Sequence, residues 1–279
     1  MSPLSQRNRT FINTILLGGT TAQKIEAAQG AGFDQIEIWR QDVEAHKAGP
    51  ENLRGRLREL GVGVADYQVV RDFDGAPDTV REEKRRDALF MLETAAKLGT
   101  DTVLVTASSD PACIPDRIDD DLRWLTREAA SRGLRIAYEG LAWSTINFTL
   151  AAAWDSVKRV NEPNLGIVVD PFHIFVRGGD ASDLDGIPMS CIYLIQLCDS
   201  DLQGCIDLQL VIDTARHRRL MPGQGSFPIH TIVERLKDGG YTGPVGIEVF
   251  NDEISARNPL MVAHEAMLAL NRAWPKFTP

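Results

Sequence analysis

Four residues in the second half of this 279-residue chain share a feature that points to chemistry: Glu139, Asp170, Gln196 and Glu248 each sit at or near the end of an apolar run. The runs are RIAYEG, LGIVVDPFH, IYLIQLCD and VGIEVF, with the length and composition of buried strands. A carboxylate or amide inside such a run is costly unless a partner satisfies it, and four in series at strand ends imply one shared partner. Three carboxylates and one amide offer only oxygen, so a hard divalent cation fits best. The plainer alternative is four unrelated polar residues that merely terminate their strands.

Strand parity favours the shared partner. If the four point inward, alternation also turns Ala137, Gly166, Val168, Ile192, Leu194 and Gly246 inward. The opposite set is Ile136, Tyr138, Ile167, Val169, Tyr193, Ile195, Ile247 and Val249. It is apolar throughout, as a covering layer of helices demands. Small inward residues suit a tapering interior closed by a metal cluster at one end.

Those strands belong to a pattern that runs the length of the chain. Strands are expected at FINTILL, FDQIEIW, VGVADYQVV, DTVLVT, RIAYE, LGIVVD, IYLIQL and PVGIEVF. Helices are expected between and after them at 20–31, 50–60, 78–98, 116–132, 149–160, 229–238 and 259–274, with only a short helix after the sixth strand. The long helix opens with Thr79 and Glu82 in capping-box spacing and stops at Gly99. A long irregular insertion is expected after the seventh strand. Eight βα units in one pattern imply an α/β fold, a (β/α)8 TIM barrel occupying residues 1–279 as a single domain. A doubly wound open sheet is the alternative, but no glycine-rich turn joins the first strand and helix, and Gly30 and Gly32 end a helix rather than open one. In a barrel the carboxyl ends of the strands converge on one face, which is where all four oxygen-bearing residues lie.

Composition narrows the partners. With 30 basic and 39 acidic residues the net charge is −9, which disfavours nucleic acid and anionic membranes. No apolar run has the length of a membrane span, and the start MSPLSQRNRTF lacks a signal peptide's apolar core, so a soluble cytoplasmic protein is expected. Cys113, Cys191, Cys198 and Cys205 form no CxxC pair and read as buried free thiols.

Further residues fall at the same rim. His173, in DPFH, lies three residues past Asp170 and reads as the general acid/base. Arg71 follows the third strand in VVRDFDG and reads as an anion-binding group. The segment RHRRLMPGQG supplies Arg216, His217, Arg218 and Arg219, a solvated loop or a fork for carboxylate or phosphate. Trp143, in YEGLAW, reads equally as a pocket wall or a packing residue. Glu37 ends the second strand and orients the pocket rather than binding metal; it receives no further role.

The barrel with Glu, Asp, Gln and Glu on strands five to eight resembles the xylose isomerase-like TIM barrel superfamily of sugar phosphate isomerases, epimerases and dehydratases. QVVRDFDG, YEGLAW, DPFHIFVRGGD, IQLCDS and RHRRLMPGQG are similar to segments of its metal-dependent 3-dehydroshikimate dehydratases, a likeness that runs from Thr14 to Val249. It departs at Ser144-Thr145-Ile146, where a Gly-Arg-His run would be expected, and in character between Asp199 and Ala215. The resemblance implies Glu139, Asp170, Gln196 and Glu248 as ligands of Mg²⁺, Mn²⁺ or Co²⁺. It implies His173 as the base, and Arg71 and the Arg216–Arg219 segment around a small-molecule substrate, 3-dehydroshikimate. It leaves open a sugar or inositol isomerase or epimerase on the same site, an inactive metal-bearing binding module, and self-association. The superfamily's histidine-rich three-zinc DNA-repair endonuclease does not fit an acidic chain with five His.

Overall fold

Each expected strand forms, and the eight close on themselves. A computed structural model describes residues 7–275 apart from Ile206. Its strands are β1 (Thr10–Asn13), β2 (Gln35–Trp39), β3 (Gly63–Val70), β4 (Thr102–Thr106), β5 (Arg135–Glu139), β6 (Leu165–Val169), β7 (Ile192–Leu197) and β8 (Val245–Ile247). They pair in sequence order, all parallel, with β8 returning to β1. Helices at Thr21–Gly30, Pro50–Leu60, Asp78–Leu98, Ile118–Ala130, Leu150–Val160, Ile229–Asp238 and Pro259–Ala273 cover the outside. The protein is a (β/α)8 barrel.

Local chemistry sets the element ends, and it corrects several expectations. FINTILL stops being a strand at Asn13, whose side chain accepts the Ile15 N–H and turns Thr14–Leu16 into a 3₁₀ helix. The first long helix starts at a true capping box, Thr20 with Gln23. The Thr79–Glu82 box does not form, because the Asp78–Leu98 helix has its N-cap two residues earlier, at Pro77, with no side-chain cap. The insertion after β7 is not irregular: Asp207 caps a helix, Leu208–His217, through the Gln209 and Leu210 N–H groups. Short helices at Arg40–Ala45 and Asp252–Ser255 also escaped the pattern, being too brief for a helical period to register.

Two apolar layers result. One lies between sheet and helices; the other plugs the barrel's foot with Phe11, Ala65, Leu104, Ala137, Val168 and Leu194, joined by Tyr193. Gly246 is small for a reason, since a Cβ there would meet the Phe11 ring at 2.2 Å. Tyr193 and Ile192 exchange the sides that alternation assigns them, because the β6–β7 register slips between Ile167 and Val168. A second slip, from Ile36↔Val64 to Glu37↔Asp66, leaves Ala65 as the extra residue and sets Asp66 opposite Glu37.

Candidate metal centre and anion-binding rim

Parallel strands of a closed barrel end at one rim, so the last residue of β5, the penultimate residue of β7 and the first residues after β6 and β8 fall there. Glu139, Asp170, Gln196 and Glu248 are all buried. Asp170 caps the short helix Pro171–Phe175, its Oδ1 accepting the Phe172 N–H at 2.8 Å. That turn carries His173 back over the rim, with Nε2 3.6 Å from Glu139 Oε1 and 3.5 Å from Asp170 Oδ2. The Ala142 N–H donates to His173 Nδ1 at 3.1 Å, so the neutral ring carries its proton on Nε2. Burial pulls the imidazole pKa down to about 4, and the ring is neutral at physiological pH.

The site is rich in oxygen and short of cations. Among the described residues a single guanidinium bonds to these carboxylates, and to two of the three: Arg219 Nη1 donates to Asp170 Oδ2 at 2.7 Å and to Glu248 Oε2 at 3.2 Å. Arg219 is itself buried, with its guanidinium over Phe172 and Phe250 at 4.6 and 5.1 Å. Burial, followed by the charge of Glu248, holds the Glu139 pKa well above the carboxylate range. Burial also lifts Glu248 to about 7 against the pull of Arg219. Glu139 Oε1 and Gln196 Oε1 have no hydrogen-bond partner. Buried, partnerless acceptors beside surplus negative charge are what a hard cation would satisfy, so these side chains fit such an ion. Glu139, Asp170 and His173 could also hold one among themselves, with atoms within 4.8 Å.

Beyond the oxygen set a cavity of about 90 Å³ opens to solvent. Arg71 and Arg216 both line it, and neither forms a carboxylate pair among the described residues. Burial, then the neighbouring charge of Arg216, lowers the Arg71 pKa. The Arg71 guanidinium lies 5.2 Å from the Trp39 ring centre. Trp143 walls the other side, edge-on to His173 at 5.1 Å.

The loop bearing Arg71 is tied down at two points. Asp72, at φ 49°, accepts the Ser109 N–H at 2.8 Å and its hydroxyl at 3.1 Å. Asp74 accepts the Tyr138 hydroxyl at 2.7 Å, and Asn147 donates to the same hydroxyl at 2.8 Å.

A family model described as a xylose isomerase-like TIM barrel matches residues 25–273. The chain belongs to that family. A 3-dehydroshikimate dehydratase of Pseudomonas aeruginosa is 36% identical over 247 residues, 88% of this chain and 38% of that protein. One of Pseudomonas putida is 34% identical over the same shares. A solved xylose isomerase-like TIM barrel/4-hydroxyphenylpyruvate dioxygenase fusion protein superposes with a TM-score of 0.90 at 31% identity, over 96% of this chain and 42% of that one. The chain thus spans well under half the length of these relatives. No helix among the described residues is long and apolar enough to cross a membrane.

In this xylose isomerase-like barrel the RHRR segment is not one cluster. It ends the Leu208–His217 helix, so consecutive side chains fan apart. Arg216 faces the cavity and Arg219 plunges to the carboxylates. His217 is exposed against Asp252 at 3.0 Å, and Arg218 pairs with Asp213, so His217 is not among the residues lining the cavity. Of the four cysteines, Cys113 and Cys198 are buried while Cys191 and Cys205 are half-buried. Sequence reasoning passed over Asn13, Asp66 and Gln68, all buried, as well as Asp74. Asn13 ends β1 as Glu139 ends β5, and that shared position was the available signal.

Proposed function

We propose that this barrel is a metal-dependent 3-dehydroshikimate dehydratase, a hydro-lyase that removes water from a cyclic β-hydroxy ketone carboxylate to give protocatechuate. The observation that carries it is the pair of guanidiniums, Arg71 and Arg216, that face the cavity beside a buried oxygen set and form no carboxylate pair among the described residues. Two half-compensated positive groups in an acidic protein call for an anionic substrate. The names of the relatives at 34–36% identity point the same way.

Glu139, Asp170, Gln196 and Glu248 would hold Mg²⁺, Mn²⁺ or Co²⁺, which supplies Lewis acidity toward a ketone oxygen when bound. Arg71 and Arg216 hold the ring carboxylate, and Trp143 closes the wall beside His173. His173 takes the proton from the carbon beside the ketone. The β-hydroxyl then departs and, with a proton returned by His173, leaves as water; loss of water and enolisation give the aromatic ring. For Nε2 to accept the carbon-bound proton, the resting ring proton must first sit on Nδ1, so the Ala142 contact opens during turnover. An isomerase or epimerase would need a second acid/base across from His173. The carboxylates lining the cavity are Glu139 and Glu248, in the oxygen set, and Asp72, engaged by Ser109.

The test is incubation of the metal-loaded protein with 3-dehydroshikimate, following the catechol product by ultraviolet absorbance. Interconversion of a ketose or inositol derivative with no catechol formed would replace the dehydratase reading with the isomerase one.

A further inference from the structure

We propose that Glu37 is a positioning residue that fixes the Gln196 side chain with its oxygen, not its nitrogen, toward the space shared by Glu139, Asp170 and Glu248; the inference rests on the metal reading of that space. A half turn about the last torsion of a glutamine exchanges an acceptor for a donor at little steric cost. An amide that is to serve as an oxygen ligand therefore needs something that holds it one way round.

Here the orientation is passed along a chain that begins with a group unable to reverse. The Trp39 indole N–H can only donate, and it donates to Asn13 Oδ1 at 2.8 Å, where the Ile15 N–H also arrives at 2.9 Å. Asn13 Nδ2 is thereby turned the other way, toward Glu37 Oε2 at 2.7 Å and Glu248 Oε1 at 2.8 Å. Glu37 keeps Oε1 for Gln196, whose Nε2 donates to it at 2.5 Å and to Glu248 Oε1 at 3.2 Å. Gln196 Oε1 is the atom left over, buried and without a donor.

Position 37 requires a side chain with two acceptor oxygens. Two donors arrive on its two different oxygens, and a glutamine there would set its own NH₂ against one of them. Glu37 and Asn13 are fully buried, so no water relieves such a mismatch from bulk solvent.

The experiment is a double-mutant cycle read by calorimetric titration with Mn²⁺. Glu37→Gln should weaken Mn²⁺ binding about ten- to a hundredfold, the range for a group that orients a ligand. In a Gln196→Ala background the same change should cost less than about twofold, because its effect runs through the missing amide. An unchanged affinity in Glu37→Gln, or an equal loss in both backgrounds, would overturn the inference. Should Glu37→Gln lack a cooperative thermal transition, Glu37→Asp takes its place in the cycle, keeping the carboxyl group while withdrawing its oxygens by one methylene. A wild-type protein that takes up no Mn²⁺ would instead sink the metal reading itself, so the two failures are separable.

Discussion

The two halves of the barrel rim end in buried polar side chains that do different work. From β5 to β8 the chain presents buried oxygen-bearing side chains, and Glu139 and Gln196 each keep one oxygen without a donor. From β1 and β2 it presents Asn13 and Glu37, whose hydrogen bonds are spent on the other half, on Glu248 and Gln196. One side keeps acceptor oxygens unspent, and the other donates to or accepts from the side chains that carry them. The comparison teaches that a cluster of buried oxygens is not self-supporting. Side chains with alternative orientations become a defined site only against partners that cannot turn.

That division can be broken, starting with the largest expected change in turnover. Stripping the metal with a chelator should lower the rate at least about a thousandfold, since Lewis acidity contributes several kcal/mol. Mg²⁺, Mn²⁺ or Co²⁺ should restore it; full turnover in a metal-free preparation would remove the metal from the reaction. Glu139→Gln and Glu248→Gln should each lower metal content, measured by atomic spectroscopy.

Next comes His173→Ala, with turnover down about a hundredfold or more while metal content and folding stay as they were. A parallel fall in bound metal would move His173 into the ligand set with Glu139 and Asp170. Smaller again, Arg71→Ala and Arg216→Ala should raise KM for the carboxylate substrate roughly tenfold and leave kcat nearly intact. Arg219→Ala should behave differently and reduce metal content or stability, because its guanidinium is bonded to the carboxylates themselves. If all three arginines shift KM alike, the separation of rim from centre is wrong.

The last prediction is read in stability. Burial raises the Asp74 pKa from 3.8 to about 6, against the hydrogen bond from Tyr138. A carboxyl raised in the folded state gives stability that is complete below its unfolded pKa and is lost as pH climbs through the folded one. Asp74 should thus lose at most about 3 kcal/mol between pH 4 and 6, with a plateau above. In Asp74→Asn that slope disappears, so its stability relative to wild type should rise over this window in urea unfolding. A constant difference across the range would show that Asp74 titrates normally.

What the sequence revealed and concealed follows the same halves. Strands β5 to β8 were legible because their polar residues interrupt long apolar runs, and an interruption in a buried run has few explanations. The barrel was legible for a related reason, as eight strand-like runs alternate with helical ones. Asn13 was hidden because it closes a strand of only four residues, inside a run, FINTILL, that looked continuous. Asp66 was hidden by the extra residue before it, which sets it opposite Glu37 in a way that simple alternation does not follow. Arg219 was grouped with three neighbours by proximity in sequence, yet the end of a helix sends adjacent side chains in different directions. The Asp74–Tyr138 bond joins loop to strand across 64 positions, a pairing that local pattern does not encode.

That bond, with the Asp72–Ser109 contact beside it, has a consequence for selectivity. Arg71 stands on a segment fastened to β5 and to the turn after β4, so its guanidinium stem starts from a fixed point relative to Glu139. On the dehydratase proposal, the span between anchor and reacting carbon would then be a property of the scaffold, in the manner of a ruler rather than a closing hand. Acids that match the span register both ends at once, while shorter or longer ones give up one end to keep the other.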